Sequence, residues 1–387
     1  MIPTYTWLLP RHPERSEGSL VCGMDLGLAS DKHGAKSGRS FTPFRMTWGV
    51  TLFLCMLISN TLFASKVVNV YAWGGEIPKS VIQQFERETS IRVNFSTYDS
   101  NETMYAKLRS SQQSIYDVIL PSAYFVERMQ KQGMLNKLDH SKLSHLNNLE
   151  TRFTQNDYDK GNQYSVPIIW GATGIFYNQH WVKEPPRTWS ALWDTHWRRQ
   201  LMLLDDPREV FAMALMSLNY SPNDTDPAHI QTAYQKLLTL IPNIKLFGSD
   251  GIQAIIIDED AIAGSAWNGD AFKAHAENSQ IDFVYPEDGF VIWIDCLAMP
   301  VNSPHPEEAY QFINYMLKPE TAAKIAIIEG HAITNLPGKM LLPANIRNNT
   351  TVYPTDEMMA RAHVQRDLGE ETIALYNKYW QDFKLAF

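Results

Sequence analysis

From Val67 onward the chain alternates short β-rich runs with amphipathic stretches, and this alternation constrains the fold more than any other feature. Val67-Val68-Asn69-Val70-Tyr71-Ala72-Trp73 reads as a buried strand, because β-branched and aromatic residues crowd a run too short for a helix. Pro78 opens a helix expected over residues 78–90, with Val81, Ile82 and Phe85 on one face. Residues 91–98 alternate as a strand, 101–110 read as a helix, and 116–122 read as a strand ending in a loop. A further helix is expected over 129–135, closed by Gly133. This order predicts the α/β class, with mostly parallel strands and helices on both faces. Ligands on such sheets gather beyond the carboxyl ends of strands, and Trp73 and Ser122-Ala123-Tyr124 stand at two such ends.

A second region repeats the grammar. Strands are expected at 201–204, 261–267 and 281–285, and apolar passages run over 165–177 and, broken only by Asp295, over 290–300. Helices are expected at 207–218, 306–317, 320–328 and from 356 through the 370s. At 387 residues there is room for two or three domains. No internal repeat and no low-complexity linker separates the two regions, so structured crossings are expected to join them.

Ahead of Val67, residues 1–45 carry no apolar period. Arg45-Met46 then precedes an apolar run from Trp48 to Ala64, interrupted by Thr51, Ser59, Asn60 and Thr61. A basic residue, an apolar stretch and a small residue at its end are the parts of a secretory signal peptide. Residues 46–65 are therefore expected to be one, cleaved after Ala64 or Ser65, although Leu62 is larger than ideal near that point. A membrane anchor is the other reading, but the run is short for one and polar in its second half. Met46 stands where a signal peptide should begin, so residues 1–45 are expected to be a disordered upstream extension from a misassigned start.

Removing residues 1–65 deepens the formal charge from -8 to -10, since six Lys/Arg and four Asp/Glu leave with them. An acidic chain is poorly suited to nucleic acid and compatible with a cationic ligand. Cys22 and Cys55 also fall in that part, and the bulky Leu54 makes Cys55 unsuited to lipid attachment. Cys296 alone cannot make an internal disulfide, so stability must come from the core. The chain has no His-x-x-x-His, Cys-x-x-Cys, Gly-x-Gly-x-x-Gly, Gly-x-x-x-x-Gly-Lys or Gly-x-Ser-x-Gly motif. No metal, cofactor or catalytic nucleophile is expected.

Chemistry then rests on carboxylates and rings. Asp206-Pro207-Arg208-Glu209 has two readings. One is a helix start, with Asp206 as N-cap, Pro207 first and Glu209 third. The other is a pair of carboxylates, one turn apart, holding a cation in a cleft. Asp295 interrupts an otherwise buried run, 291–299. A lone charge there is costly unless paired, either to a Lys or Arg of the fold or to a cation brought by the ligand. Trp293 shares its strand face. Trp267-Asn268-Gly269-Asp270 again sets a ring and an acid at a strand end. A single Trp so placed is more often core than ligand box, yet Trp73, Trp267, Trp293 and Tyr124 recur beside Asp270, Asp295 and strand ends. Such a set suits an elongated alkyl cation. Cation–π contacts contribute about 0.5–2 kcal/mol each, carboxylates bind ammonium groups, and ring faces cover the methylenes between.

These passages are familiar together: Ser96-Thr97-Tyr98-Asp99-Ser100-Asn101-Glu102-Thr103-Met104-Tyr105-Ala106-Lys107-Leu108, Ile169-Trp170-Gly171-Ala172-Thr173, residues 205–211, Trp267-Asn268-Gly269 and Trp293-Ile294-Asp295. Through them the chain resembles the periplasmic spermidine/putrescine-binding proteins of bacterial polyamine ABC importers. The resemblance implies a two-lobed periplasmic-binding-protein fold of type II, each lobe a mostly parallel sheet flanked by helices, hinged by crossing strands. Residues 66–171 and 293–341 would form the first lobe, and 172–292 and 342–387 the second. Asp206, Glu209 and Asp295 would meet ammonium groups, and Trp73, Trp267, Trp293 and Tyr124 would box the methylenes. Ser249 and Gln365 would add polar contacts, with Ser122 at its strand end beside them. A periplasmic, monomeric, non-enzymatic receptor is implied, taking spermidine before putrescine. Its partner would be the membrane permease of an ABC importer or, alternatively, a membrane sensor. An acid–base carbohydrate enzyme with Trp platforms is a rival of another class.

The departures are local. Where that family usually has a hydroxyl residue, an acid and a tyrosine after the tryptophan, Gly74, Gly75 and Glu76 stand here, and His331 replaces an aromatic. Glu76 either puts a charge in place of the tyrosine or points to solvent. Asp270 matches the putrescine-preferring relatives, whereas Asp206, Tyr124 and Trp293 match the spermidine-preferring ones. Five carboxylates (Glu76, Asp206, Glu209, Asp270 and Asp295) exceed the charge of such a ligand, so some must be protonated, solvated or turned away.

Overall fold

The computed structural model describes residues 66–110 and 114–387, and the expected signal peptide and upstream extension lie outside them. The first run is β1 (Val67–Trp73), α1 (Lys79–Thr89), β2 (Arg92–Tyr98), α2 (Asn101–Ser110), β3 (Val118–Ile119) and α3 (Ala123–Lys131). β4 (Ser165–Asn178), β5 (Leu201–Leu203), α4 (Pro207–Met216), α5 (Pro227–Leu240) and β6 (Ile244–Phe247) follow. Then come α6 (Ile252–Ile257), β7 (Ala263–Trp267), α7 (Asn268–Glu277), β8 (Ile281–Val284) and β9 (Phe290–Ala298). The chain ends through α8 (Pro306–Met316), α9 (Pro319–Glu329), β10 (Ala332–Ile333), α10 (Leu336–Met340), α11 (Ala344–Arg347), α12 (Asp356–Met359), β11 (Ala362–Val364) and α13 (Gly369–Ala386).

One sheet runs through the molecule in the order β2-β1-β3-β9-β4-β7-β5-β6. Its wings are parallel: β1 with β2 and β3, and β5 with β6 and β7. In the middle, β4 and β9 pair antiparallel from Ser165↔Ala298 to Thr173↔Val291. These are the crossing strands. All fourteen residues of β4 are buried, which is why it reads as a continuous apolar passage rather than as an alternation.

The apolar side chains fall into separate cores that change along β4. Residues 68–172, Tyr285, Phe290 and residues 292–353 contribute to one core, and Ile175, Tyr177, Leu201, Val210–Met216 and Val291 to another. Leu342, Ile346, Val352 and Tyr353 pack into the first core, and the second resumes at Leu368, Tyr376 and Phe383. A third cluster forms between α6, α7 and β7 around Ile252, Ile256, Ala266 and Ala271.

Three expected elements are redrawn, the first being the helix expected over 129–135, which runs earlier as α3. The strand at 116–122 shortens to β3, because Ser122 is the N-cap of α3. Tyr124 therefore sits in a first helical turn rather than in a loop. The final helix is not continuous: β11 pairs parallel to β9 at Ala362↔Phe290, and Gly369, at φ +78°, turns the chain into α13.

Candidate functional site

A cleft of about 320 Å³ lies where the crossing strands meet the helix starts, and every site residue expected from the sequence lines it. Trp73 ends β1, Trp267 ends β7, and Trp293 and Asp295 project from β9. Tyr124 opens α3, and Asp206 and Glu209 open α4. Ser249, His331 and Gln365 follow β6, α9 and β11. Eight carboxyls line the cleft (Glu76, Asp99, Asp206, Glu209, Asp250, Asp270, Asp295, Glu329) against one cationic side chain, Lys273. Such a wall attracts cations and repels anions.

At one end Asp295, 3% exposed, has no salt bridge among the described residues. Ser122 Oγ donates to its Oδ1 at 2.6 Å. Asn101 fixes that serine, donating to Ser122 Oγ at 3.0 Å and accepting from Ser122 N at 3.1 Å. The second neighbour of Asp295 is another acid: Glu76 lies within hydrogen-bonding reach of it. Glu76 thus turns into the cleft rather than to solvent. Burial first, then the Asp295 charge, holds Glu76 well above the ordinary carboxyl range, and its Oε2 is buried without a partner. Burial likewise pushes Asp295 up to about 6.

At α4 both readings of the Asp206 motif hold together. Asp206 Oδ1 caps the helix, accepting from Arg208 N at 2.7 Å and Glu209 N at 3.1 Å, while the residue lines the cleft. Glu209 is 6% exposed; Gln365 Nε2 donates to its Oε1 at 3.1 Å, and its Oε2 has no partner. Burial, then the Asp206 charge, raises Glu209 to about 8. The Arg208 guanidinium lies 5.0 Å from the Tyr124 ring and gives hydrogen bonds to Asn223 Oδ1 and the Arg366 carbonyl.

Rings wall the space between. Trp73 meets Tyr98 at 4.8 Å, and Trp293 meets His331 edge-on at 5.4 Å. Trp293 can lie flat across β4 because residue 171 is glycine, where a Cβ would collide with its ring. The indole nitrogens of Trp73 and Trp293 are buried without partners. Asp270 differs from the other acids, since Lys273 pairs with it at 3.6 Å, one helical turn away. His331 is held neutral, lowered to about 3 by burial and then by Lys273. Ser249 Oγ accepts from Asp205 N at 3.0 Å. Among the described residues no cluster of His, Cys, Asp and Glu could hold a metal ion.

Comparison with known proteins agrees with this architecture. Residues 80–339 match the bacterial extracellular solute-binding protein family. The chain is 39% identical over 315 residues to a spermidine/putrescine-binding periplasmic protein of Salmonella typhimurium, covering 81% of this chain and 90% of that one. The chain belongs to the bacterial extracellular solute-binding proteins. A putrescine-binding periplasmic protein of Escherichia coli is 32% identical over 316 residues, covering 76% and 85% of the two chains. In three dimensions it is similar to a spermidine/putrescine ABC transporter substrate-binding protein from Streptococcus pneumoniae, with a TM-score of 0.74 and 34% identity over 83% of this chain and 99% of that one.

Within this solute-binding protein the sequence reading missed Tyr98, Asn101, Lys273 and Glu329, all at the cleft. Lys273 was legible, since it stands three residues after Asp270 on a helix. Asn101 was not: after Ser100 and before Glu102 it reads as an ordinary helix start, and its bonds to Ser122 and Tyr124 span over twenty residues.

Proposed function

We propose that this chain is a periplasmic polyamine receptor that captures spermidine, and secondarily putrescine, and delivers it to the permease of an ABC importer. The observation that carries the reading is the pair of acidic ends, Glu76–Asp295 and Asp206–Glu209, each with a buried carboxyl oxygen that lacks a partner. An amine at each end of an alkyl chain satisfies both, and Trp73, Trp267, Trp293 and Tyr124 cover the methylenes. Ser122, Ser249, Gln365 and neutral His331 complete the polar contacts. Asp270, already neutralised by Lys273, shapes the wall rather than holding a ligand amine. The names of the relatives support the ligand class.

Residues 66–171 with 293–341 act as one lobe and 172–292 with 342–387 as the other, hinged at β4 and β9. The switch of cores along β4, between Ala172 and Ile175, supports the hinge, although Tyr285, Phe290 and residues 342–353 pack with the first core rather than the second. A ligand touching both lobes shifts the population toward the closed form, which the permease then recognises. The receptor binds without turnover.

A thermal-shift panel tests this directly. Spermidine and putrescine at a hundredfold excess over Kd raise stability by about 2.7 kcal/mol, and maltose and glutamate leave the melting temperature unchanged. A shift with the sugar or the acid and none with polyamines contradicts the reading.

A further inference from the structure

Glu76 stands where the resemblance led us to expect a tyrosine, and the structure puts its carboxyl against that of Asp295. Ser122 Oγ already satisfies Asp295 Oδ1 at 2.6 Å. Among the described residues no cationic side chain forms a salt bridge with either acid. The single lysine of the cleft wall is engaged by Asp270 at 3.6 Å, and the other titratable groups facing Glu76 are Tyr98 on β2 and Glu329 at the end of α9. One is a neutral phenol, the other a further acid that can only add negative charge. Two carboxylates so close, Asp295 buried and Glu76 half-buried, do not readily both carry charge, and one proton between them relieves the conflict.

We propose that Glu76 and Asp295 share one proton in the ligand-free cleft and that an ammonium group of the polyamine replaces it, so that capture of the ligand releases a proton. This rests on the polyamine reading above. The carboxyl O–H bond breaks, its proton passes to solvent, and N–H groups of the ammonium donate to both carboxylates, including the unpartnered Oε2 of Glu76. A primary ammonium has three donors for this task. A quaternary ammonium has none, so the same pair rejects ligands such as choline. Burial, then the Asp295 charge, holds Glu76 well above its ordinary range, and burial raises Asp295 to about 6 although its bonds to Ser122 and Glu76 pull it down, in agreement with a retained proton. The ligand favours the fully ionised pair. Affinity therefore rises with pH, by up to about tenfold per unit for each proton released, until the free pair is itself ionised.

The test is calorimetric titration of the purified protein with spermidine at pH 6, in phosphate and in ACES, whose ionisation enthalpies differ. Buffer dependence of the heat counts the protons released. Wild type is expected to release about one proton more than Glu76→Gln, in which the amide permanently plays the protonated acid. The Asp206–Glu209 end is the same in both proteins and cancels in the difference. Infrared difference spectra keep the test open if the variant does not fold: on adding spermidine, wild type should lose a protonated-carboxyl stretch that persists through Glu209→Gln. Polyamine binding with equal proton release in wild type and Glu76→Gln, or with no loss of that stretch, overturns the exchange and leaves the receptor reading standing. No binding of any polyamine to wild type overturns both.

Discussion

Glu127 and Glu209 are equally withdrawn from water, each 6% exposed, yet the structure treats them in opposite ways. Glu127, on α3, receives both Nε and Nη2 of Arg366 at 3.0 Å, the backbone N–H of Asp367 at 3.0 Å and Lys131 Nζ at 3.0 Å. Burial alone raises it, but these partners prevail and hold it at about 2. Beside it Arg128 grips Asp367 with Nε and Nη2, at 3.0 and 2.8 Å. Glu209, in the cleft, has a neutral amide for a partner and rises to about 8. Exposure is alike but Glu209 lies deeper, so depth and partner together set the role. Where the chain provides the cation, the acid fastens structure; where it withholds one, the acid is left for a cation from outside. The two clusters also touch the same segment: Gln365 bonds Glu209, and the next two residues latch onto α3.

Asp295→Asn should give the largest effect. Binding should fall by more than about a hundredfold, as a paired, desolvated charge is lost, while the unliganded protein melts no lower than wild type. A collapsed melting temperature would mean that Asp295 fastens structure after all, and the contrast would fail. Arg366→Ala comes next and should behave in reverse. It strands Glu127 and should cost about 1–3 kcal/mol of stability, discounted from a fully buried pair because Arg366 is partly exposed, with a smaller loss of affinity. Denaturant melts and titrations of the same preparation check both halves.

Asp206→Asn sharpens the comparison at a residue with two duties. Asparagine caps helices as well as aspartate does, so stability should hold within about 0.5 kcal/mol while affinity drops about tenfold. Asp206→Ala should lose a further ~1 kcal/mol of stability from the missing cap. An equal stability loss in both variants would show that charge, not capping, is what α4 needs.

The same contrast should show in the pH dependence of stability, where each unit of pKa shift counts about 1.4 kcal/mol before any discount for solvent screening. Glu209 and Asp295 have folded values above their unfolded ones, so the stability they contribute is present at low pH and is lost as pH rises through about 6 to 8. Glu127 has a folded value below its unfolded one, so its contribution is present above the ordinary glutamate range and is lost as pH falls toward about 2. The unliganded protein should therefore melt higher at pH 5 than at pH 8, and lower again below pH 4. A melting temperature that falls steadily from pH 8 to 5 would break the assignment of the cleft acids.

Much of this was legible in the sequence because it is local. Helix starts at Pro78 and Pro207, the buried run of β4 and the interrupted run around Asp295 each announce themselves within a dozen residues. So does the Asp206–Glu209 cap. What could not be read is what joins distant segments. Nothing near Glu127 points to Arg366, 239 residues away, and nothing near Glu76 says that its neighbour is another acid on β9. The last helix was overextended for the same reason: residues 362–368 are held by β9, Asn223 and α3 rather than by their own helical turn.

The central claim is that the unpaired acids of the cleft await a polyamine, and calorimetric titration with putrescine, spermidine and spermine tests it most directly. The protein should first be unfolded and refolded to strip carried-over ligand. The account predicts one tight site, strongest for spermidine, and no measurable heat with choline. No binding of any of the three, by a protein that has refolded, would contradict it.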